Sequence, residues 1–493
     1  MRLVSCLSAA SLLYAGVLTI GCSPSAAPSP AVKNTTKQRP ASTSEDFPPL
    51  AAPVAVGQSA ARSQSTSDAF PPLAGASGAD SPADRPLREI DETRAAAAGI
   101  RKLAGRHLVL FTDVAADPSV AELPAVFDAA FPQWCQHLGL DAQANVGWQM
   151  RGFLIKDRER FEAAGLWPAD LPQFLNGYTR RREFWLFNQS SEYYRRHLML
   201  HEGVHGIMFT LQQSNGPAWY MEGLAELLAT HRWSSGKLTL PDFPAQAADV
   251  PKLGRIEIVQ AEFKQGQAKY LRDVLALKNR VYLDNGPYAW SWAAAAFLYG
   301  HPVYRDRFRA LMKRPVYGDF NETFKQAYAR DARPLGEEWQ VFVSELAHGY
   351  DFERTRLDFS PAKTTPKAGA PMSLKVAADR GWQNTGLRLE ANKRYALTAS
   401  GRYTLATEPK PWLSEPGGVT IRYHRGLPLG ILLAVVRPDE AGQGPSPFYS
   451  PHIVGLSATI EPKQTGTLYL RINDFAGELA DNSGAAEVVV NAE

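Results

Sequence analysis

The chain has 493 residues, 45% hydrophobic and 21% charged, so it is too long for one ordinary domain and can bury two or three cores. Its net charge of +3 is nearly balanced and no basic stripe with interleaved aromatics appears, which speaks against a nucleic-acid-binding protein. Of three cysteines, Cys6 and Cys22 lie in the first 22 residues; Cys135 stands alone, so any metal site downstream must draw on histidine and carboxylate.

In chain order, Arg2 and the apolar or small run Leu3–Ile20 form an export-signal pattern over residues 1–22. Gly21 before Cys22, followed by a Ser/Pro/Ala tract, resembles a bacterial lipobox, with Thr19 where leucine is usual. The resemblance implies lipid attachment at Cys22; the alternative is an ordinary signal peptide cut further on. No second long apolar run follows, so the expected location is exported and membrane-anchored, in a periplasm or at a cell surface. Residues 23–92 are rich in Ser, Ala and Pro without apolar periodicity and read as a disordered tether. Within it, Phe-Pro-Pro-Leu-Ala occurs twice, in Ser44–Ala51 and Ser67–Ala74, either a docking motif or duplicated linker sequence.

Residues 93–358 have an α+β texture. His107–Val114, Gly147–Asp157 and Arg181–Gln189 read as strands. Glu122–Leu140 is an amphipathic helix with Val126, Phe127, Ala130, Phe131 and Trp134 on one face. The segment "RRHLMLHEGVHGIMF" (Arg195–Phe209) then places His201 and His205 four residues apart, on one face of a helix. Glu202 is rotated by about 100° from His201, beside a shared metal ion rather than on it. That is the arrangement for water activated by zinc and deprotonated by a carboxylate. Gly203 and Gly206 cost the helix about 1 kcal/mol each against alanine, which close approach of backbone or substrate would offset.

A catalytic zinc needs three protein ligands and an open position. In "SNGPAWYMEGLAELLATH" the sequence offers Ser214 and Asn215 as caps, Pro217 in the first turn, and Glu222 and Glu226 one turn apart on one face. Glu222 supplies the third ligand, and Glu226 accepts a hydrogen bond from a ligand histidine. The pattern H-E-x-x-H followed by a helix bearing W-x-x-E-G-x-A-E resembles the gluzincins, the thermolysin and aminopeptidase-N group of zinc metallopeptidases, and most of all their peptidase MA-like members. The resemblance implies a zincin-like fold, zinc on His201, His205 and Glu222, Glu202 as general base, and Glu226 behind a ligand histidine, where many relatives carry aspartate. Sixteen residues separate His205 from Glu222, slightly fewer than in the best-known members. In aminopeptidase-type members a tyrosine at a helix start serves the oxyanion. Tyr288 in "GPYAWSWAAAAFLYG" (Gly286–Gly300) is the matching residue, with a packing tyrosine as the alternative. The strand Arg182–Asn188 matches the edge strand on which such enzymes lay an extended peptide, with Asn176–Arg182 as its hairpin partner.

After a Pro/Ala/Lys/Thr linker at 359–372, residues 373–493 turn to short strands punctuated by Gly, Pro and Asn, an all-β sandwich. The segments "GWQNTGLRLEANKRYALTASGRY" and "LYLRINDFAGELADNSG" resemble the PA-IL galactose-binding lectin domain. That resemblance implies a possible Ca²⁺ site on Asp474, Asp481 and Asn482 and a glycan ligand; a turn held by Asx hydrogen bonds is the alternative. The whole reads as an exported zinc metallohydrolase, a peptidase acting on peptide or protein substrates, with a lectin-like module. Its rival is a cell-surface carbohydrate-binding protein on an inactive peptidase-like frame.

Overall fold

A five-stranded mixed sheet organises the amino-terminal half, its apolar residues alternating between two helical layers. The computed structural model describes residues 87–278, 284–440, 442 and 444–493. The expected signal segment, Cys22 and both Phe-Pro-Pro-Leu-Ala repeats lie outside the described residues. The strands are β1 (Arg101–Ala104), β2 (Leu108–Thr112), β3 (Met150–Ile155), β4 (Gly177–Arg180) and β5 (Glu183–Phe187). Their spatial order is β1-β2-β3-β5-β4, with β2, β3 and β5 parallel and β1 and β4 antiparallel to their neighbours.

Side chains alternate across a strand. Phe153 and Trp185 therefore face one layer, where they pack with Ala95 of α1 (Glu92–Ala97) and Phe161 of a later helix. Met150, Phe184 and Leu186 face the other, with the long helix over Glu192–Thr210. In chain order the helices continue as α2 (Pro118–Ala121), α3 (Leu123–Leu138), α4 (Arg158–Ala163), α5 (Glu192–Thr210) and α6 (Ala218–Ala229). After a small hairpin of β6 (Arg232–Ser234) and β7 (Lys237–Thr239) come α7 (Arg255–Lys264), α8 (Leu271–Leu275), α9 (Asn285–Gly300), α10 (Arg305–Met312), α11 (Phe320–Ala327), α12 (Ala332–Glu345) and α13 (Phe352–Thr355). One continuous apolar core joins α3, α5, α6 and α9, with Trp134, Trp219, Trp290 and Trp292 fully buried in it. The order is thus a mixed sheet carrying the histidine helix, then a helical part.

The carboxy-terminal region is a β-sandwich with its own core. Its strands are β8 (Met372–Ala377), β9 (Gln383–Leu389), β10 (Tyr395–Ser400), β11 (Tyr403–Ala406), β12 (Trp412–Ser414), β13 (Gly417–His424), β14 (Leu427–Pro438), β15 (His452–Ile453), β16 (Ser457–Ile460), β17 (Gly466–Ile472) and β18 (Ser483–Ala492). One sheet runs β12-β11-β18-β10-β16 with β8 on β18; the other runs β13-β14-β17-β9 with β15 on β14.

Both ends of the expected linkers are better tied than the sequence suggested. Arg88 already donates to Glu183 at 3.0 Å, so the packed chain starts before residue 93. Residues 359–372 run along the sandwich, where Lys363 N–H donates to the Gly386 carbonyl at 3.0 Å and Arg388 N–H to the Thr364 carbonyl at 2.8 Å. No helix among the described residues is long and apolar enough to cross a membrane.

Candidate metal centre

Ser191 caps α5 by accepting the N–H of Tyr194 at 3.2 Å, and Glu192 in the first turn complements the positive helix end. From this start His197, His201 and His205 fall at successive turns of one face. Helix α6 starts at Ala218 with Pro217 as its cap residue, not with Ser214 or Asn215. Those two are used elsewhere: Asn215 N–H donates to the Val316 carbonyl at 2.6 Å, and Ser214 Oγ accepts the Val316 N–H at 3.0 Å. On α6, Gly223 lets α9 cross closely, since a Cβ there would lie 2.6 Å from the Ser291 carbonyl oxygen. That crossing brings the start of α9 to the histidines.

The three expected ligands converge. His201 Nε2 and His205 Nε2 are 3.1 Å apart, and Glu222 Oε2 is 3.3 Å from each. A tetrahedral ion with bonds of about 2.0–2.2 Å sets ligand–ligand edges of about 3.3–3.6 Å, so the donor set fits zinc in kind, number and spacing. The charge balance points the same way. Burial disfavours a charged His201, but Glu222, Glu226 and Glu202 outweigh it and push the imidazole up to about 10. Burial would raise Glu222, yet His205 and His201 hold its carboxyl down at about 2. A cation among these groups is favoured by the three carboxylates around His201.

Glu202 is buried beside this triad rather than in it. Its Oε2 accepts the Thr179 hydroxyl at 2.6 Å, and burial above all raises its carboxyl over the ordinary value. Tyr288 stands in the first turn of α9, its ring 6.1 Å from that of His201. Burial, then the charges of Glu222, Glu202 and Glu226, push its phenol well above the usual range, which keeps it a proton-bearing donor.

The expected edge strand needs correction. Strand β5 (Glu183–Phe187) lies inside the sheet, between β3 and β4, and the free edge belongs to β4. The expectation for the helix glycines also changes. A Cβ on Gly203 would lie 2.6 Å from Trp134 and 2.7 Å from Phe127, and one on Gly206 2.3 Å from Met150 Sδ. Core side chains, not substrate, fill the space they leave.

Glu226 lies behind His201 and has more partners than the sequence disclosed. Its Oε1 lies 3.3 Å from His201 Nδ1, and its Oε2 is 3.1 Å from His197 Nε2. Arg255, at the start of α7, donates Nε to Oε2 at 2.9 Å and Nη2 to Oε1 at 2.8 Å. Its guanidinium also lies 5.8 Å from the centre of the Tyr288 ring. Neither Arg255 nor His197 was singled out from sequence. His197 had a signal, one turn before His201 on the same face; Arg255 had none, because it comes from a different element.

His231, just beyond the end of α6, is buried. Burial lowers it to about 3, and its neutral ring stacks on Tyr193 at 4.5 Å, lining a cleft of ≈ 610 Å³ with Arg196 and Trp233 at the amino end of α5.

In the sandwich, Asp474 and Asn482 come together, with Asn482 Nδ2 donating to Asp474 Oδ2 at 2.7 Å. Asn482 Oδ1 is buried without a hydrogen-bond partner, a vacant acceptor that suits a cation. Burial raises the Asp474 carboxyl to about 6. The carboxylate of Asp481 instead accepts the Thr407 N–H at 3.0 Å. Two of the three residues expected to hold calcium are thus in contact.

No family model matches the chain, and no curated protein does. Among solved structures it is similar to an EclA N-terminal domain, a PllA-like lectin, at 28% identity over 24% of this chain and 95% of that one, with a TM-score of 0.19. It is also similar to IMPa metallopeptidase in complex with T-antigen, at 12% identity over 80% of this chain and 42% of that one, and to IMPa metallopeptidase from Pseudomonas aeruginosa, at 11% over the same shares, each with a TM-score of 0.16. The chain therefore spans less than half the length of those metallopeptidase chains. Likenesses this loose carry no argument, and the reading of the site stands on its own geometry.

Proposed function

We propose that the protein is an exported zinc metallohydrolase that cleaves peptide bonds. The observation that carries this reading is the convergence of His201, His205 and Glu222 at 3.1–3.3 Å, with a buried glutamate seated beside them. Zinc held by these three would supply Lewis-acid activation of a water molecule. Glu202 takes the proton of that water as its oxygen attacks the carbonyl carbon. As the C–N bond breaks, Glu202 passes the proton to the departing nitrogen. Tyr288 donates its hydroxyl hydrogen bond to the carbonyl oxygen as charge develops there. Glu226, forked by Arg255, fixes the ring of His201. Strand β4 offers its free edge to an extended peptide.

Lipid attachment at Cys22 would hold this activity at a membrane surface. In the sandwich, Asp474 and the vacant Oδ1 of Asn482 are the groups that would take Ca²⁺, with a glycan as the ligand it serves; Asp481 would have to leave Thr407 to join them. The rival reading, a carbohydrate binder on an inert frame, gives no use to a glutamate aimed beside three converging ligands.

Metal analysis of the purified protein, with cleavage of a proteome-derived peptide library by wild type and Glu202→Gln, tests the proposal. One zinc per chain in both, and a loss of about 10²–10⁴-fold in the variant, is the expected result. Equal cleavage by the two proteins removes the mechanism.

A further inference from the structure

Peptide hydrolysis by Glu202 leaves open what aims its flexible side chain. Strand β4 supplies the answer from two alternate positions. Thr179 Oγ1 donates to Glu202 Oε2 at 2.6 Å and lies 3.1 Å from the main-chain carbonyl of the same residue. On the other side, a Cβ at Gly177 would lie 2.4 Å from Glu202 Oε1, 2.6 Å from Leu186 Cδ2 and 3.2 Å from Glu202 Cδ. One position holds the carboxylate by a hydroxyl, and the other makes room for it by having no side chain. Residues 177 and 179 share one face of the strand. Tyr178 and Arg180 use the opposite face, where the Tyr178 ring stacks 6.0 Å from Phe174 and the Arg180 guanidinium lies 5.6 Å from the Trp185 ring.

The register adds a second consequence. Arg180 pairs with Glu183 across a two-residue turn in which Arg181 has φ 61°, and Phe187 N–H donates to the Asn176 carbonyl at 2.9 Å. Hydrogen-bonded pairs alternate along an antiparallel ladder, so Asn176, Tyr178 and Arg180 bond inward to β5. The main-chain groups of Gly177 and Thr179 are left on the outer edge.

We propose that Thr179 is the positioning residue of the general base and that Gly177 is its clearance. The aim of the base is then set by two alternate positions of one short strand. This rests on the hydrolase reading above.

The test uses full-length, zinc-loaded protein and the best-cleaved peptide from a proteome-derived library, with zinc content and thermal melting measured for every variant. Thr179→Val keeps the shape and removes the hydroxyl. It is expected to keep zinc and KM within about twofold and to lose about 10–100-fold in kcat, the worth of one hydrogen bond to a charged group. Thr179→Ser restores the hydroxyl and is expected to recover most of kcat. Gly177→Ala crowds Oε1 and is expected to lose activity to the level of Glu202→Gln with zinc retained. Wild-type kcat in Thr179→Val, no recovery in Thr179→Ser, or an active Gly177→Ala overturns the positioning role while Glu202→Gln still reports the hydrolase. A zinc-loaded wild type that cleaves nothing in the library overturns the hydrolase reading itself, and this role with it.

Discussion

Glu226 carries a carboxylate into a site where only 1% of the residue meets solvent, and its partners divide the charge among them. Burial alone would raise it; Arg255 first, and His197 after it, hold it well below the ordinary carboxylate range. A carboxylate held low contributes stability that is complete above its unfolded value and lost only as pH falls through the folded one. The contribution is therefore full at neutral pH. Arg255→Met leaves this charge without its fork, a change worth about 3–5 kcal/mol when one member of a buried pair is removed. It also lets the His201 ring turn, so zinc affinity should fall by about 10–100-fold, the usual effect of losing a partner behind a metal-binding histidine. Arg255→Lys keeps the charge but cannot reach both oxygens in parallel, and should fall between. Competition with a chelator of known affinity measures both. Unchanged zinc affinity in Arg255→Met would mean that the fork on Glu226 has no bearing on the metal.

Helix α5 has to pass close over α3 and β3 for its histidines to face α6, and its two glycines are where it does so. An alanine at 203 gains about 1 kcal/mol of helix propensity. It also drives a methyl to 2.6 Å from Trp134 and 2.7 Å from Phe127, two rings held in the core. Overpacking of this kind costs about 1–3 kcal/mol, so Gly203→Ala should melt below wild type. Gly206→Ala meets the end of Met150, a flexible side chain that can swing aside, and should cost less. A Gly203→Ala protein that melts at or above wild type would show that the close approach does not constrain the helix.

What could be read in advance follows the same distinction between contacts along an element and contacts across elements. His201 with His205, and Glu222 with Glu226, were legible as pairs because helical periodicity fixes which residues of one helix share a face; that the two pairs meet is what the gluzincin resemblance implied. Thr179, Gly177 and Arg255 were not, because they reach the site from a strand edge and from another helix. The mistaken edge strand was partly legible: β5 reads "EFWLF" and β4 "GYTR", and the more apolar member of a hairpin belongs inside the sheet. The cap of α6 was missed because Val316, a hundred residues on, claims both Ser214 and Asn215.

At the scale of the whole molecule, the sandwich joins the amino-terminal region through a charged hub inside an apolar seam. Glu345, at the end of α12, accepts His424 Nε2 at 2.7 Å, Arg425 Nη1 at 3.0 Å and Arg471 Nη1 at 2.7 Å. Around it Val341 and Leu357 pack with Trp382, Leu433 and Tyr469 of the sandwich. The loop that follows β17 reaches further: Ala476 belongs to the core of the amino-terminal region, its carbonyl accepts the Asp351 N–H at 3.1 Å, and a Cβ on Gly477 would lie 2.4 Å from the His348 carbonyl oxygen. Arg471 Nη2 also donates to the Asp474 carbonyl at 2.5 Å, so one guanidinium ties the hub to the loop that carries Asp474 and Asn482.

Glu345→Ala removes the carboxylate on which His424, Arg425 and Arg471 converge and leaves these basic side chains facing one another, at a cost of about 3–5 kcal/mol. The amino-terminal region and the sandwich each have a main core of their own, so the loss should appear as two resolved thermal transitions where wild type shows one. Glu345→Gln keeps an acceptor and should sit between. Burial would raise Glu345, but Arg471 and then His424 hold it well below the ordinary range, so its share of the docking is complete at neutral pH and lost only when pH falls below that range. Wild type should therefore melt as one unit at pH 5 as at pH 8 and separate only in stronger acid. A single unchanged transition in Glu345→Ala would place the strength of the joint in the apolar seam and the Ala476 loop, and leave the charged hub without weight in it.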